Sequence, residues 1–388
     1  MLQRLFIFLL IFLILPDIYL YLRFIVHLTA RRWLKILYWL PTFLLSTGLL
    51  YLVYFSNNAF AERHTQDIGW FSIFFFLFTA PKLLLFLCTV IGIPFHKWLR
   101  WPRTPFICTG LTLAVVSIVM IIYGSFIGRT QFDVKEVTCS SSKLPSSFDG
   151  YRIVQLSDIH IGSWQGNASA IQNLVNLVNE QHPDLIAFTG DLVNHRAIEL
   201  NDFQHILAGL KAKDGVYSIL GNHDYGPYFR WKNKQEQDDN LSDLQQRQAA
   251  MGWKLLNNSH TILIQGNDSI ALIGVENEGE PPFSQYADLP KAMQGTEGMF
   301  QILLSHNPTH WRREVLPESD IDLMLAGHTH AMQLKLGNYS PSSYIYPEWS
   351  GMYLEGTRGL YVNVGIGYVG LPFRFGAWPE ITVLTLRR

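Results

Sequence analysis

The chain has 388 residues, with 30 Lys and Arg against 31 Asp and Glu and 48% hydrophobic residues; that is too apolar for a disordered polyelectrolyte and long enough for more than one domain. The charge is divided: residues 1–128 carry 10 basic and 3 acidic side chains, the remainder 20 and 28. The acidic C-terminal half excludes a nucleic-acid partner, because phosphate backbones are gripped with Lys and Arg.

In chain order, four apolar stretches come first, near Leu5–Leu22, Trp39–Phe55, Trp70–Phe95 and Phe106–Gly128. Each is about long enough to cross a bilayer core as a helix. The first has no small-residue cleavage site and three more follow it, so a four-helix transmembrane domain over 1–128 is expected rather than a signal peptide. The first connecting loop holds Arg23, Arg31, Arg32 and Lys35, and the third Lys97, Arg100 and Arg103. In the second, Arg63 is offset by Glu62 and Asp67. Basic loops stay cytoplasmic, so the chain is expected in the cell membrane (the inner membrane of a bacterium) with its C-terminal domain extracytoplasmic. Asp17 and Lys82 lie inside apolar stretches, after Pro16 and Pro81. An Asp17 near the interface and a snorkelling Lys82 are favoured over an intramembrane pair or a lipid-headgroup contact.

Residues 129–150, rich in Ser, read as a polar linker. Beyond them strand and helix patterns alternate. Strands are predicted at Arg152–Leu156, Leu185–Phe188, Val216–Leu220, Ile270–Val275, Phe300–Leu304, Leu323–Ala326, Leu360–Val364 and Ile381–Leu386, and helices at Asn167–Asn179 and Phe203–Leu210. This argues an α/β domain over 151–388. The polar insertion 226–250 reads either as a substrate-facing lid or as a solvated loop leading into a surface helix at 241–251. Cys88, Cys108 and Cys139 suggest neither a disulfide framework nor a thiolate metal site.

Five clusters of metal-binding residue types punctuate this half, each after an apolar run: Asp158-Ile159-His160, Gly190-Asp191, Gly221-Asn222-His223-Asp224, Ser305-His306 and Gly327-His328-Thr329-His330. If residues 158–160 are extended, Asp158 and His160 point the same way and offer a carboxylate and an imidazole to one cation. Gly190 permits a tight turn before Asp191, whose carboxylate can bridge two ions. The Asn222 amide oxygen suits a site that must admit a phosphate dianion. Any one cluster is weak evidence; five at strand ends in one order point to a pair of hard or borderline divalent cations.

The series resembles the calcineurin-like metallophosphoesterase superfamily over about residues 150–388. Gly370-Leu371-Pro372-Phe373-Arg374-Phe375, Pro379-Glu380-Ile381 and the Gln333 that follows His330 are similar to its bacterial membrane-associated or exported branch. That branch often has Gly-Gly where this chain has Ala331-Met332. The resemblance implies a four-layer α/β/β/α sandwich. It implies one cation on Asp158, His160 and His330, a second on Asn222, His306 and His328, and Asp191 between them. His223 would act at the leaving group with Asp224 as its orienting partner. Attack on phosphorus would come from a metal-bridging hydroxide. Arg374 reads either as a phosphate contact or as a salt bridge closing the last strands, and His195 as a neighbour of the ligands or an exposed loop residue. The donors admit Mn, Fe, Zn or Co, manganese foremost. The expected activity is cleavage of a phosphoester, a phosphodiester or lipid-linked phosphate given the bilayer as partner. The alternatives are a non-catalytic metal-binding regulator of the same fold and a transporter; few intramembrane charges and no repeat among the spans disfavour the latter.

Overall fold

The computed structural model describes residues 2–54 and 65–388. The second-loop residues Glu62 and Arg63 lie outside them. The chain divides into two units: residues 1–127 with 370–373, and residues 128–369 with 374–388.

The first unit contains α1 (Leu2–Leu20), which continues through a π-helical turn at Tyr21–Ile25 to Leu28, α2 (Arg32–Tyr54), α3 (Thr65–Leu99) and α4 (Thr104–Phe126). All four are long and apolar enough to cross a membrane. Large apolar side chains such as Phe8, Ile11, Phe43 and Val115 face outward, as they should where the solvent is lipid. The reading of Asp17 and Lys82 is overturned. Asp17 is fully buried, and the Lys82 ammonium lies 2.8 Å from its Oδ1. Thr42 and Tyr38 donate hydroxyl hydrogen bonds to the same carboxylate. Asp17 falls midway along the candidate span Phe6–Leu28, and the charges pair across α1, α2 and α3.

The second unit is built on twelve strands: β1 (Asp133–Ser140), β2 (Arg152–Leu156), β3 (Leu185–Phe188), β4 (Val216–Ser218), β5 (Trp253–Leu255), β6 (Ser259–Gln265), β7 (Asp268–Gly274), β8 (Phe300–Leu304), β9 (Leu323–Ala326), β10 (Gly351–Glu355), β11 (Arg358–Val362) and β12 (Glu380–Arg387). They form two mixed six-stranded sheets, ordered β1-β12-β2-β3-β4-β5 and β10-β11-β9-β8-β7-β6. Ile153, Leu185 and Tyr217 of the first sheet meet Leu272, Ile302 and Leu325 of the second in one buried core. The outer face of the first sheet packs on α5 (Ala168–Asn179), through Ile171, Leu174 and Val178. The outer face of the second packs on Trp311 and Val315. The four-layer sandwich is therefore as expected.

The segment read as a linker is a structural part of the sheet. β1 runs parallel to β12 from Asp133↔Glu380 to Ser140↔Arg387, and Leu144 and Phe148 are buried. Val137 and Cys139 alternate with polar residues and pack on the inter-sheet core; this period-two pattern identifies a half-covered strand that the serines beyond it obscure. The insertion resolves towards the solvated reading for most of its length. α6 (Lys234–Ala250) buries only Leu244 and Gln248, whereas Tyr228 just before it reaches the site described next.

Candidate metal centre

β2, β3 and β4 are parallel neighbours in one sheet, and β8 and β9 in the other. All five clusters follow the C-terminal ends of these strands, so the two sheets bring them to a common edge. The loops are tight. Asp158, His160, Asp191, His328 and His330 have φ of 52°, 45°, 58°, 73° and 49°, in the left-handed region that non-glycine residues avoid. Residues 158–160 are thus not extended; the two side chains converge because both residues take left-handed turns. Gly190, at φ 95°, supplies the turn before Asp191. A Cβ on Gly327 would collide with the Ser157 hydroxyl and Asp158 Oδ2, so only glycine lets β9 deliver its histidines alongside β2. Buried Gln155 ties the two edges together by donating to the Ala326 carbonyl, 2.8 Å away.

Ligand atoms of Asp158, His160 and His330 lie within 4.8 Å of one another, as do those of Asp191, His306 and His328. His330 Nε2 is 3.1 Å from Asp158 Oδ1 and 3.2 Å from His160 Nε2. Asp191 Oδ2 is 3.5 Å from His160 Nε2 and 3.3 Å from His306 Nε2, so one oxygen faces both triads. Its Oδ1 accepts from the His223 backbone N–H at 2.8 Å. His306 Nδ1 donates to the Thr189 carbonyl at 2.8 Å, which leaves Nε2 to face the site. Asn222 donates its amide N–H to the Tyr228 hydroxyl at 3.0 Å, while its buried Oδ1 has no protein partner. A buried, orphaned acceptor beside carboxylates and imidazoles fits a cation.

The charges are set for the same purpose. Burial alone would raise Asp158, but the adjacent His330 and His306 hold it well below the usual carboxylate range. Asp191 is held low against its burial by His306 and His223. Burial and neighbouring imidazoles depress His160, and push His328 down to about 3. His306 resists burial because Asp191 raises it to about 9. Anionic carboxylates and mostly neutral imidazoles are the ligating forms.

Two expected roles are corrected. Arg374 is not placed to meet a phosphate. It is fully buried, its Nε and Nη1 donate to the Gly367 and Ala377 carbonyls, and its Nη2 meets the Val364 carbonyl and His330 Nδ1 at 3.0 Å. The guanidinium fork is consumed in fixing the His330 ring. Nor does Asp224 orient His223. Its carboxylate accepts from the backbone N–H groups of Asp191, Leu192, Val193 and Gly221, stapling two ligand loops together. Burial and the Asp191 charge raise it to about 7. His223 is oriented instead by donating Nδ1–H to the Asn194 carbonyl at 2.8 Å, and Glu199 anchors that loop through the N–H groups of residues 194–196. His195 lies 6.3 Å from His223, ring to ring, and is half-buried, with burial taking it down to about 4. Three wall residues had no signal in the sequence. Tyr228 packs 4.4 Å from the His223 ring, Phe283 meets His328 edge-on at 4.6 Å, and the Tyr346 hydroxyl is 3.1 Å from His328 Nε2.

Residues 151–332 match the family model described as calcineurin-like phosphoesterase, and residues 3–129 match that of a probable calcineurin-like phosphoesterase transmembrane domain. The chain is 32% identical over 71% of its length to a zebrafish (Danio rerio) transmembrane protein with metallophosphoesterase domain, the match spanning 62% of that relative. It is 31% identical over 68% of its length to the uncharacterized metallophosphoesterase YkuE of Bacillus subtilis, spanning 89% of it. A bovine (Bos taurus) transmembrane protein with metallophosphoesterase domain is 29% identical over 79% of this chain and 71% of its own. The match thus spans less than two thirds of the zebrafish relative. With four candidate membrane helices preceding a two-sheet domain that gathers two carboxylate–imidazole triads at one edge, this chain belongs to the calcineurin-like metallophosphoesterases.

Proposed function

We propose that this chain is a membrane-anchored, two-cation phosphohydrolase that cleaves a phosphodiester or lipid-linked phosphate on the extracytoplasmic side of the cell membrane. The observation that carries the reading is the placement of one Asp191 oxygen between two ligand groups. Asp158, His160 and His330 would hold one ion, Asn222, His306 and His328 the other, with Asp191 shared. Two divalent cations, when bound, supply Lewis-acid charge to the phosphoryl oxygens and lower the pKa of a water towards neutrality. Mixed N and O donors without cysteine suit manganese foremost, and equally admit Fe, Zn or Co.

The chain's own residues do the rest. His223 keeps its Nδ1–H on the Asn194 carbonyl, so Nε2 is the ring nitrogen left free to exchange a proton with the leaving oxygen. Tyr228, Phe283 and Tyr346 wall the site and limit water. The basic first and third loops support the orientation, and the four spans on the same chain support a substrate with a lipid portion.

The test is hydrolysis by the full-length protein of a panel of phosphomonoesters, phosphodiesters and lipid phosphates, with and without Mn. Cation-dependent cleavage is expected. Asp191→Asn should lower it by about a hundredfold or more and reduce bound metal. His223→Ala should retain metal yet lose about 10²–10⁴ in rate. Full activity in Asp191→Asn removes the shared-ligand role. A panel silent with every cation supports a metal-binding regulator of the same fold instead.

A further inference from the structure

At the end of the bundle that carries the two basic loops, Tyr19, Arg23, Phe24, Thr89, Ile93 and Arg103 are among the residues that line a cleft of about 150 Å³. Arg23 projects from the π-helical turn at Tyr21–Ile25, a local widening that is frequent at functional positions. Arg103 immediately precedes α4. Gly92 makes room for Phe106, whose ring a Cβ there would meet at 2.8 Å; this brings α4 against α3 and forms the floor.

The two guanidinium groups have no ion-pair partner among the described residues. The described carboxylates of the first unit are Asp17, engaged by Lys82, and Asp67, in the first turn of α3. Asp67 is roughly 35–40 Å along the helix from Ile93, at 1.5 Å per residue. Two uncompensated positive charges beside an apolar floor favour an anion that carries its own hydrocarbon. The depth agrees, because Trp33 in the first turn of α2, Trp98 in the last turn of α3 and Trp101 between α3 and α4 are exposed at this end, and exposed tryptophans mark the headgroup level of a bilayer.

We infer that this cleft binds the phosphate headgroup of an anionic phospholipid, with Arg23 and Arg103 as its charge partners and the apolar wall against its acyl chains. Basic pockets between membrane helices recognise anionic headgroups in this way. The test uses the full chain in mixed micelles of phosphatidylglycerol and phosphatidylcholine, with retained lipids counted by native mass spectrometry. The wild type should retain phosphatidylglycerol preferentially, and Arg23→Gln/Arg103→Gln should lower that preference by about tenfold. Arg31→Gln/Arg32→Gln, at the start of α2 and not among the residues lining the cleft, should keep it. Thermal unfolding of each variant establishes that it is folded; if the double variant does not fold, Arg23→Lys/Arg103→Lys should keep part of the preference. Equal retention in the folded cleft variant, or equal loss in the Arg31/Arg32 variant, overturns the inference. Complete displacement of the lipid by inorganic phosphate would assign the cleft to the free anion and overturn the lipid reading.

Discussion

Each unit buries carboxylates and potential cations, and they do so to opposite ends. In the spans, Asp17 is closed: one ammonium and two hydroxyls occupy its oxygens, and nothing is left to bind. At the sheet edge, Asp158 is grouped with His160 and His330, and Asp191 with His306 and His328, while the buried Asn222 oxygen has no protein partner. Burial of charge therefore does not by itself mark a functional site. A site is marked by acceptors that the fold has collected and left unsatisfied.

That contrast can be broken from either side. Removing one partner of the closed cluster should have the larger effect on the fold. Asp17→Ala leaves Lys82 uncompensated in the bilayer and should destabilise the membrane helices by about 3–5 kcal/mol, seen as a lower thermal midpoint in detergent. Asp17→Ala/Lys82→Met should recover most of it. No recovery would mean that the pair is not the interaction lost. At the open cluster, Arg374→Gln should lower metal content and kcat by about 10–100-fold while leaving KM unchanged, because the guanidinium positions His330 rather than substrate; a rise in KM alone would restore it to the phosphate.

Protons sharpen the difference further. His306 is raised to about 9 by Asp191, above its unfolded value, so the stability it contributes to the ion-free chain is fully present below about 6.5 and is lost as pH rises through about 9. A cation displaces that proton. Metal affinity should therefore weaken by about tenfold per pH unit as pH falls from 8 to 7, with proton release in calorimetric titrations. Flat affinity over that interval would remove His306 from the ligands. The smallest effect concerns Ala331 and Met332, at φ 47° and 46° where the resembling branch often has Gly-Gly. Met332→Gly relieves left-handed strain but adds unfolded-chain entropy, and should raise stability by up to about 1 kcal/mol by denaturant unfolding.

The candidate ligands could be picked out because Asp, Asn and His stand directly after apolar runs at strand ends, and most core strands were legible from the same runs. What the sequence hid was partnership. Arg374 and Asp224 carry residue types suited to phosphate and proton chemistry, yet long-range packing commits both to backbone groups. Tyr346 and Phe283 reach His328 from remote loops, and nothing local announces them. Asp17 and Lys82 are 65 positions apart, so a pattern read one span at a time shows two isolated charges where the fold has one pair. β1 was lost among serines because only half its side chains are covered.

The strand order carries one more consequence. β12 lies between β1 and β2, although it follows the other eleven described strands in sequence. During synthesis, β1 emerges directly behind the fourth membrane helix and has no neighbour to join until Glu380–Arg387 follows. The sheet that carries Asp158 and Asp191 therefore cannot close on the ribosome strand by strand. Until translation passes residue 387, β1 and β2 lack the strand that joins them, and the nascent sheet presents an open edge.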